Sequence, residues 1–168
     1  AECDRGARSP RGCPMTDARA DRFAVRVAEL GLSVEPREMD ASTHTAQQAA
    51  DALGCGVEAI VKSLLFVGEA GPVLVLASGP NRVNPELVAA VVGGPVTMAD
   101  AKTVKRVTGS SIGGVPPIGH PERLRTILDE TLLRLPEVWA AAASQTSVFP
   151  IAPTVLAQFS AATVARVS

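Results

Sequence analysis

Tyrosine is absent from this sequence, tryptophan occurs once and phenylalanine four times. So few aromatic faces exclude the stacking platforms with which RRM and OB-type domains hold single-stranded nucleic acid. Cysteine is equally sparse: Cys3, Cys13 and Cys55 form no CxxC pair, and an odd number argues against a secreted disulfide framework. A reducing, cytoplasmic setting is expected instead. The two histidines, His44 and His120, have no His or Cys partner at ligand spacing, so neither a zinc site nor any other cofactor is expected. Charge of one sign does not dominate, with 16 Lys and Arg against 17 Asp and Glu, which excludes a polybasic protein that binds nucleic acid over a wide surface. Long apolar runs are also missing. The stretches around 87–92 and 138–143 fall far short of the ~18 residues that span a bilayer, so no membrane partner is expected. Neither a Walker A loop, a Rossmann fingerprint nor the strand-turn-helix elbow of a serine hydrolase is expected.

What remains reads as one globular domain. A chain of 168 residues with 46% hydrophobic and 20% charged residues can bury a single core and is too short for two full domains with a linker. Residues 1–14 carry three arginines but no apolar signal region, and are expected to form a disordered leader or to come from an upstream start. Residues 15–168 are expected to form the domain. Helical spacing of Phe23, Val27 and Leu30 predicts a helix over 17–30 closed by Gly31. An extended piece at 33–39 is limited by Pro36, and an alanine-rich helix at 46–53 follows several cap candidates and ends at Gly54. Residues 60–67 are apolar on both alternating faces, the pattern of a strand covered from both sides, and turn residues 68–72 join it to a second strand at 73–76 as a hairpin. Pro85 opens a helix to 92, and 99–107 form another before Gly109. Strands at 124–128 and 138–142, a helix at 154–159 and a terminal strand complete a mixed α/β class.

Three features could carry chemistry. Lys62 shares a strand face with Ile60, Leu64 and Phe66, so its charge must be answered. It either snorkels or pairs with Asp129 or a glutamate, or it waits in a pocket mouth as a point charge for a phosphate. The loop 108–119 holds four glycines and two prolines, and it is either a surface turn or a stretch whose bare backbone amides can approach a carbonyl oxygen. Cys55 reads as a small hydrophobe at a helix end rather than a nucleophile. Between 100 and 125, Lys102, Lys105, Arg106, Arg123 and Arg125 outnumber Asp100 and Glu122, either a solvated face or a local nucleic-acid footprint.

Thr45-Ala46 leading into Ala49-Ala50-Asp51-Ala52-Leu53-Gly54, then Ile60-Val61-Lys62-Ser63-Leu64, then Thr108-Gly109 with Gly113-Gly114-Val115-Pro116-Pro117, resembles the YbaK type of aminoacyl-tRNA deacylase. That family is related to the editing domain of bacterial prolyl-tRNA synthetase. The resemblance implies a single domain with a mixed, strongly curved central β-sheet flanked by helices. It also implies hydrolysis of the ester that joins a wrong amino acid to tRNA, most often tRNA for proline charged with a small residue such as alanine or cysteine. Lys62 would engage the phosphate near the terminal adenosine, and Gly113 would hold the ester carbonyl through its backbone. Water attack would be assisted by the ribose hydroxyl, with no metal and no protein nucleophile. Thr45, Thr108, Gly109, Gly114, Pro117 and His120 would contribute to substrate binding, although Thr45 can equally cap its helix and His120 can equally shape the turn. Ala142 and Ala143 stand where relatives carry glycine, so their methyl groups could narrow the amino-acid pocket or alter a turn. The partners implied are the aminoacyl-tRNA acceptor end and prolyl-tRNA synthetase. A non-catalytic module that binds a tRNA end or a synthetase, and a hydrolase of a small free ester, are the competing readings.

Overall fold

The computed structural model describes residues 18–39, 45–120 and 124–168. The expected leader, His44 and Arg123 lie outside these residues. Helix α1 (Ala18–Glu29) turns Ala20, Phe23 and Val27 inward, and Gly31, at φ +96°, ends it in the left-handed conformation. Helix α2 (Ala46–Leu53) carries a complete capping box. The Thr45 hydroxyl accepts from the Gln48 N–H while the Gln48 side chain accepts from the Thr45 N–H, and Gly54 closes the other end. Helix α3 (Pro85–Val92) starts under an Asn84 cap with Pro85 in its first turn, and α4 (Ala101–Thr108) starts under Asp100. Helix α5 (Pro153–Ser160) follows the late strands. Among the described residues no helix is long and apolar enough to cross a membrane.

The described residues form eight strands: β1 (Arg37–Glu38), β2 (Val61–Gly68), β3 (Gly71–Ser78), β4 (Val96–Met98), β5 (Arg125–Asp129), β6 (Val138–Ala141), β7 (Ser147–Ile151) and β8 (Thr163–Ala165). The predicted hairpin is β2–β3, antiparallel from Gly68 opposite Gly71 to Val61 opposite Ser78. Five strands form one sheet in the order β4-β2-β3-β5-β8, with β5 parallel to β3 and β8 parallel to β5. The other three form a second sheet, β1-β7-β6.

The structure therefore corrects the expectation of one strongly curved central sheet. Strand β6 pairs along its length with β7, and its backbone link to the larger sheet is a single bridge between Ile60 and Trp139. The two sheets instead share a core. Val61, Leu65, Leu74 and Leu76 from one pack with Val138, Ala140, Phe149 and Ile151 from the other. Phe23 of α1 joins them, its ring centroid 5.2 Å from that of Phe149. Phe66, Val73 and Val75, on the opposite face of β2 and β3, bury against Val88 of α3 and Ile127, which is the doubly covered sheet that the apolar pattern predicts.

The expected extended piece at 33–39 shrinks to β1. Strands β4 and β7 were not expected: β4 has only three residues, and Pro150 interrupts the strand signal of β7. Pro150 is tolerated because β1 pairs only with Ser147 and Val148, so beside the proline β7 has no neighbour on that edge.

Helix α5 ends at Ala161 with φ +54°, its N–H returning to the Ala157 and Gln158 carbonyls. A left-handed alanine is strained where glycine is not. Ala161→Gly should raise stability by up to about 1 kcal/mol and the thermal midpoint by about 2–4 °C, measured by thermal unfolding.

Candidate functional site

The lysine that breaks the apolar pattern of β2 opens into a cavity of about 300 Å³ at the seam between the two sheets. Strand β4 pairs with β2 only from Phe66 to Gly68, so the first half of β2 is an open edge on that side. Lys62 sits on this edge, half-buried. Its Nζ donates to the Asn81 carbonyl oxygen at 2.6 Å, its one partner among the described residues. Among the described residues no carboxylate reaches it, so the pair with Asp129 is not formed and none with a described glutamate is seen. Asp129 is fully buried one step behind, where its carboxylate accepts from the Asn81 side-chain amide at 2.9 Å and the Thr131 N–H at 3.2 Å. Asn81 thus links the buried acid to the lysine. Withdrawal from water, then the neighbouring Arg82 guanidinium, hold the Lys62 pKa below the ordinary lysine value. An ammonium with spare donors, facing a second cation, is primed to take an anion.

The glycine loop supplies the facing wall. The Gly114 N–H donates to the Ser111 carbonyl at 2.9 Å, closing a four-residue turn with Gly113 left-handed at its third position, φ +91°. Gly113 lines the cavity, and a Cβ there would meet only Gln145 Cγ and Nε2, at 3.8 Å. Gly114 is packed instead: a Cβ would lie 2.9 Å from the backbone of Ser144 and Gln145. The loop is thereby pressed onto the turn between β6 and β7, and Gln145 Nε2 adds a bond to the Ile112 carbonyl at 2.8 Å.

Thr45 joins Lys62 and Gly113 in lining this cavity, so three residues far apart in sequence converge. Its hydroxyl oxygen is also the α2 cap, so Thr45 both caps the helix and lines the cavity. The other expected substrate-binding residues do not line it. The buried Thr108 hydroxyl donates to the Val104 carbonyl at 2.7 Å, and Gly109 is the left-handed cap of α4. Ala142 is buried in the shared core, its N–H bonded to the Ser147 carbonyl at 2.9 Å. Ala143 adopts φ +67°. The alanines therefore keep the turn that glycine would favour, at the cost of strain, and neither methyl group narrows the cavity. Pro117 and His120 line a separate cavity of about 340 Å³ with Leu30, Ile118, Thr126 and Phe159.

Residues 109–113 do spell Gly-Ser-Ser-Ile-Gly, the letters of a serine-hydrolase elbow. They follow helix α4 rather than a strand, and Ser111 is exposed, away from the His120 cavity, so the strand-turn-helix geometry is absent. Of the basic residues, Lys102, Lys105 and Arg106 are exposed on α4, while the Arg125 guanidinium donates to the Val91 carbonyl at 3.3 Å. Among the described residues no group of three or more His, Cys, Asp and Glu side chains is placed to hold a metal ion. Sequence reasoning missed Met39, Trp139, Gln145 and Val148 as wall residues and Asn81 as the lysine's support. Only Trp139, the sole tryptophan, carried any signal; its ring lies 5.5 Å beneath the Arg37 guanidinium.

Residues 40–159 match the family model of the aminoacyl-tRNA editing domain. An uncharacterized protein of Bacillus subtilis strain 168, YwhH, is 33% identical over 124 residues, covering 73% of this chain and 79% of that protein. A crystal structure described as a candidate trans-editing enzyme for prolyl-tRNA synthetase superposes with a TM-score of 0.89 at 41% identity, covering 92% of this chain and 99% of that one. The proline–tRNA ligase of Limosilactobacillus fermentum is 33% identical over 111 residues, 62% of this chain but only 18% of the ligase.

Burial, then the charge of Arg26, lower the His120 pKa to about 4. The nearby Pro116 carbonyl opposes this in part without meeting hydrogen-bond geometry. Below pH 6.5 the unfolded chain takes up a proton that the folded chain refuses until about pH 4, so stability falls as the pH drops through that window. Unfolding measured between pH 7 and pH 4 should show a loss of up to about 3 kcal/mol, and His120→Gln should flatten the slope.

Proposed function

Because the chain belongs to the aminoacyl-tRNA editing domain family, we propose that it is a trans-editing hydrolase of mischarged tRNA. Its substrate is tRNA for proline carrying a small wrong amino acid such as alanine or cysteine. The reading takes 15–168 as the editing domain, acting in the cytoplasm. It rests on one observation, the convergence of Lys62, Gly113 and Thr45 on a single cavity.

The acceptor end enters with a phosphate near its terminal adenosine against the Lys62 ammonium. The Asn81 carbonyl orients that charge without neutralising it, which a carboxylate would have done. The aminoacyl group lies across the seam toward Gly113, whose backbone approaches the ester carbonyl because no side chain intervenes. Water, assisted by the substrate's own ribose hydroxyl, attacks that carbon. The ester C–O bond breaks to release the free amino acid and tRNA with its hydroxyl restored. Positioning and electrostatics supply the catalysis, so no side-chain nucleophile is required. Walls of Met39, Ile60, Val115, Trp139 and Val148 suit a small apolar side chain. Likeness to a structure described in connection with prolyl-tRNA synthetase supports the choice of tRNA, with that synthetase as a further partner.

A panel of tRNA for proline charged with alanine, cysteine, serine, 2-aminobutyrate or proline tests this directly. Release of alanine or cysteine with proline spared is the expected result. Failure on every charged tRNA with binding retained would leave a non-catalytic module, and salt-indifferent turnover of a free aminoacyl ester would indicate a metabolite hydrolase. Lys62→Ala should lower kcat/KM about a hundred- to a thousandfold while the thermal midpoint stays near wild type, and unchanged turnover would reject the lysine's role. Gly113→Ala should also slow deacylation, because the left-handed turn disfavours a side chain and the methyl group faces the ester. Wild-type kinetics in that variant would remove the loop from the site.

A further inference from the structure

We infer that the exposed basic stripe of α4, formed by Lys102, Lys105 and Arg106, is the surface on which the duplex part of the tRNA acceptor stem rests; this rests on the editing reading above and extends it beyond the cavity. The three residues stand at i, i+3 and i+4, so they share one face of the helix, and all three are exposed. Val104 and Thr108 lie on the other side of the helix and are buried.

Helix stability alone does not account for the stripe. Lys105 and Arg106 lie in the last turn, where the helix dipole favours cations, and Lys105 Nζ donates to the Gly109 carbonyl at 3.2 Å. Lys102 has no such reason. It sits in the first turn, where the dipole disfavours a cation, and one turn away from the like charge of Arg106. The acid nearest in sequence, Asp100, is the helix cap. Hydrogen bonds from the Thr103 side chain and N–H, and to a lesser degree the charge of Arg106, hold its carboxylate below the ordinary range. Among the described residues none of the three cations forms a salt bridge. In a chain whose net charge is -1, such a stripe is a local feature and not a reflection of composition.

Its position supplies the partner. The Ala99 N–H donates to the Leu65 carbonyl at 2.9 Å, which starts α4 beside the edge of β2 that β4 leaves open, and Val104 joins the core of Val61 and Leu65. The helix then runs into the glycine loop, whose Ile112 and Gly113 line the cavity. A volume of about 300 Å³ takes one small group, so the aminoacyl end fills it and the rest of the tRNA stays outside, on the rim. Two helices lead into the cavity wall: α2 carries Asp51 and no base, whereas α4 carries three bases and no acid. A duplex of closely spaced phosphates is drawn to the second and not to the first.

The test compares alanyl-tRNA for proline with an alanyl-CCA trinucleotide, which keeps the ester and the terminal phosphates but has no duplex, in single-turnover kinetics over a range of salt. Lys102→Gln, Lys105→Gln and Arg106→Gln combined should raise the half-saturating protein concentration for alanyl-tRNA about ten- to a hundredfold and make its log–log salt slope shallower by about 2–3. The maximal rate and the trinucleotide turnover should stay at wild type, as should the thermal midpoint, because the side chains are exposed. Lys102→Arg with Lys105→Arg, which keeps the charge, should retain wild-type kinetics on alanyl-tRNA. No loss on alanyl-tRNA, equal losses on both substrates or an unchanged salt slope would overturn the role of the stripe while leaving the editing reading intact. A loss that appears only when prolyl-tRNA synthetase is added would also overturn it, by making the stripe a protein-docking face. If wild-type protein acts on alanyl-tRNA alone, the salt slope of the variant decides. Wild-type protein inert on both substrates would overturn the editing reading as well, and so is told apart from failure of the stripe alone.

Discussion

The ammonium of Lys62 lies at the edge of an apolar strand, where withdrawal from water and the guanidinium of Arg82 both disfavour its charge. A neutral carbonyl, that of Asn81, holds it there at 2.6 Å. That arrangement decides what the site can do. A carboxylate in direct contact would have satisfied the lysine and left little attraction for a phosphate. The acid is instead set back, with buried Asp129 bonded to the Asn81 side chain, so that it steadies the support and leaves the ammonium itself unneutralised. The link crosses from β5 through the segment after β3 to β2, three elements that come together only in the folded sheet.

The cavity facing this charge exists because two sheets fail to become one. The bridge at Ile60 and Trp139 brings β6 alongside β2, while the short β4 leaves the first half of β2 uncovered. Into that gap comes the glycine loop, seated on the β6–β7 turn by the missing side chain of Gly114 and by Gln145. Its neighbour Gly113 is bare for another reason: the turn needs a left-handed residue, and the same absence of Cβ leaves room for a ligand. Ala143 shows how firmly the opposing turn is set. It holds φ +67° without glycine's freedom, because the Ala142 N–H and the Ser147 carbonyl close the turn around it.

Much of this was legible in the chain order. The elements announced by strong local signals formed where expected: α1 from its apolar spacing, α2 between Thr45 and Gly54, the β2–β3 hairpin around 68–72, and α3 from Pro85. What escaped was short or masked by an unfavourable residue, as with three-residue β4 and proline-containing β7. At the site, Lys62 and Gly113 stood out because each breaks a local rule, a charge on an apolar face and a glycine cluster after a helix. Met39, Val148 and Gln145 break none, and Thr108, Gly109 and His120 share the loop's sequence without sharing its cavity.

Local chemistry along the chain determined where helices and strands begin and end, because caps, turn glycines and apolar periodicity act within a few residues. It also singled out the lysine and the bare loop as breaks in the local pattern. Only the tertiary structure decided that the sheet divides in two and that Asn81 rather than Asp129 touches Lys62. These are contacts between segments distant in sequence, where the outcome rests on which hydrogen-bonding edges remain free after the core has packed.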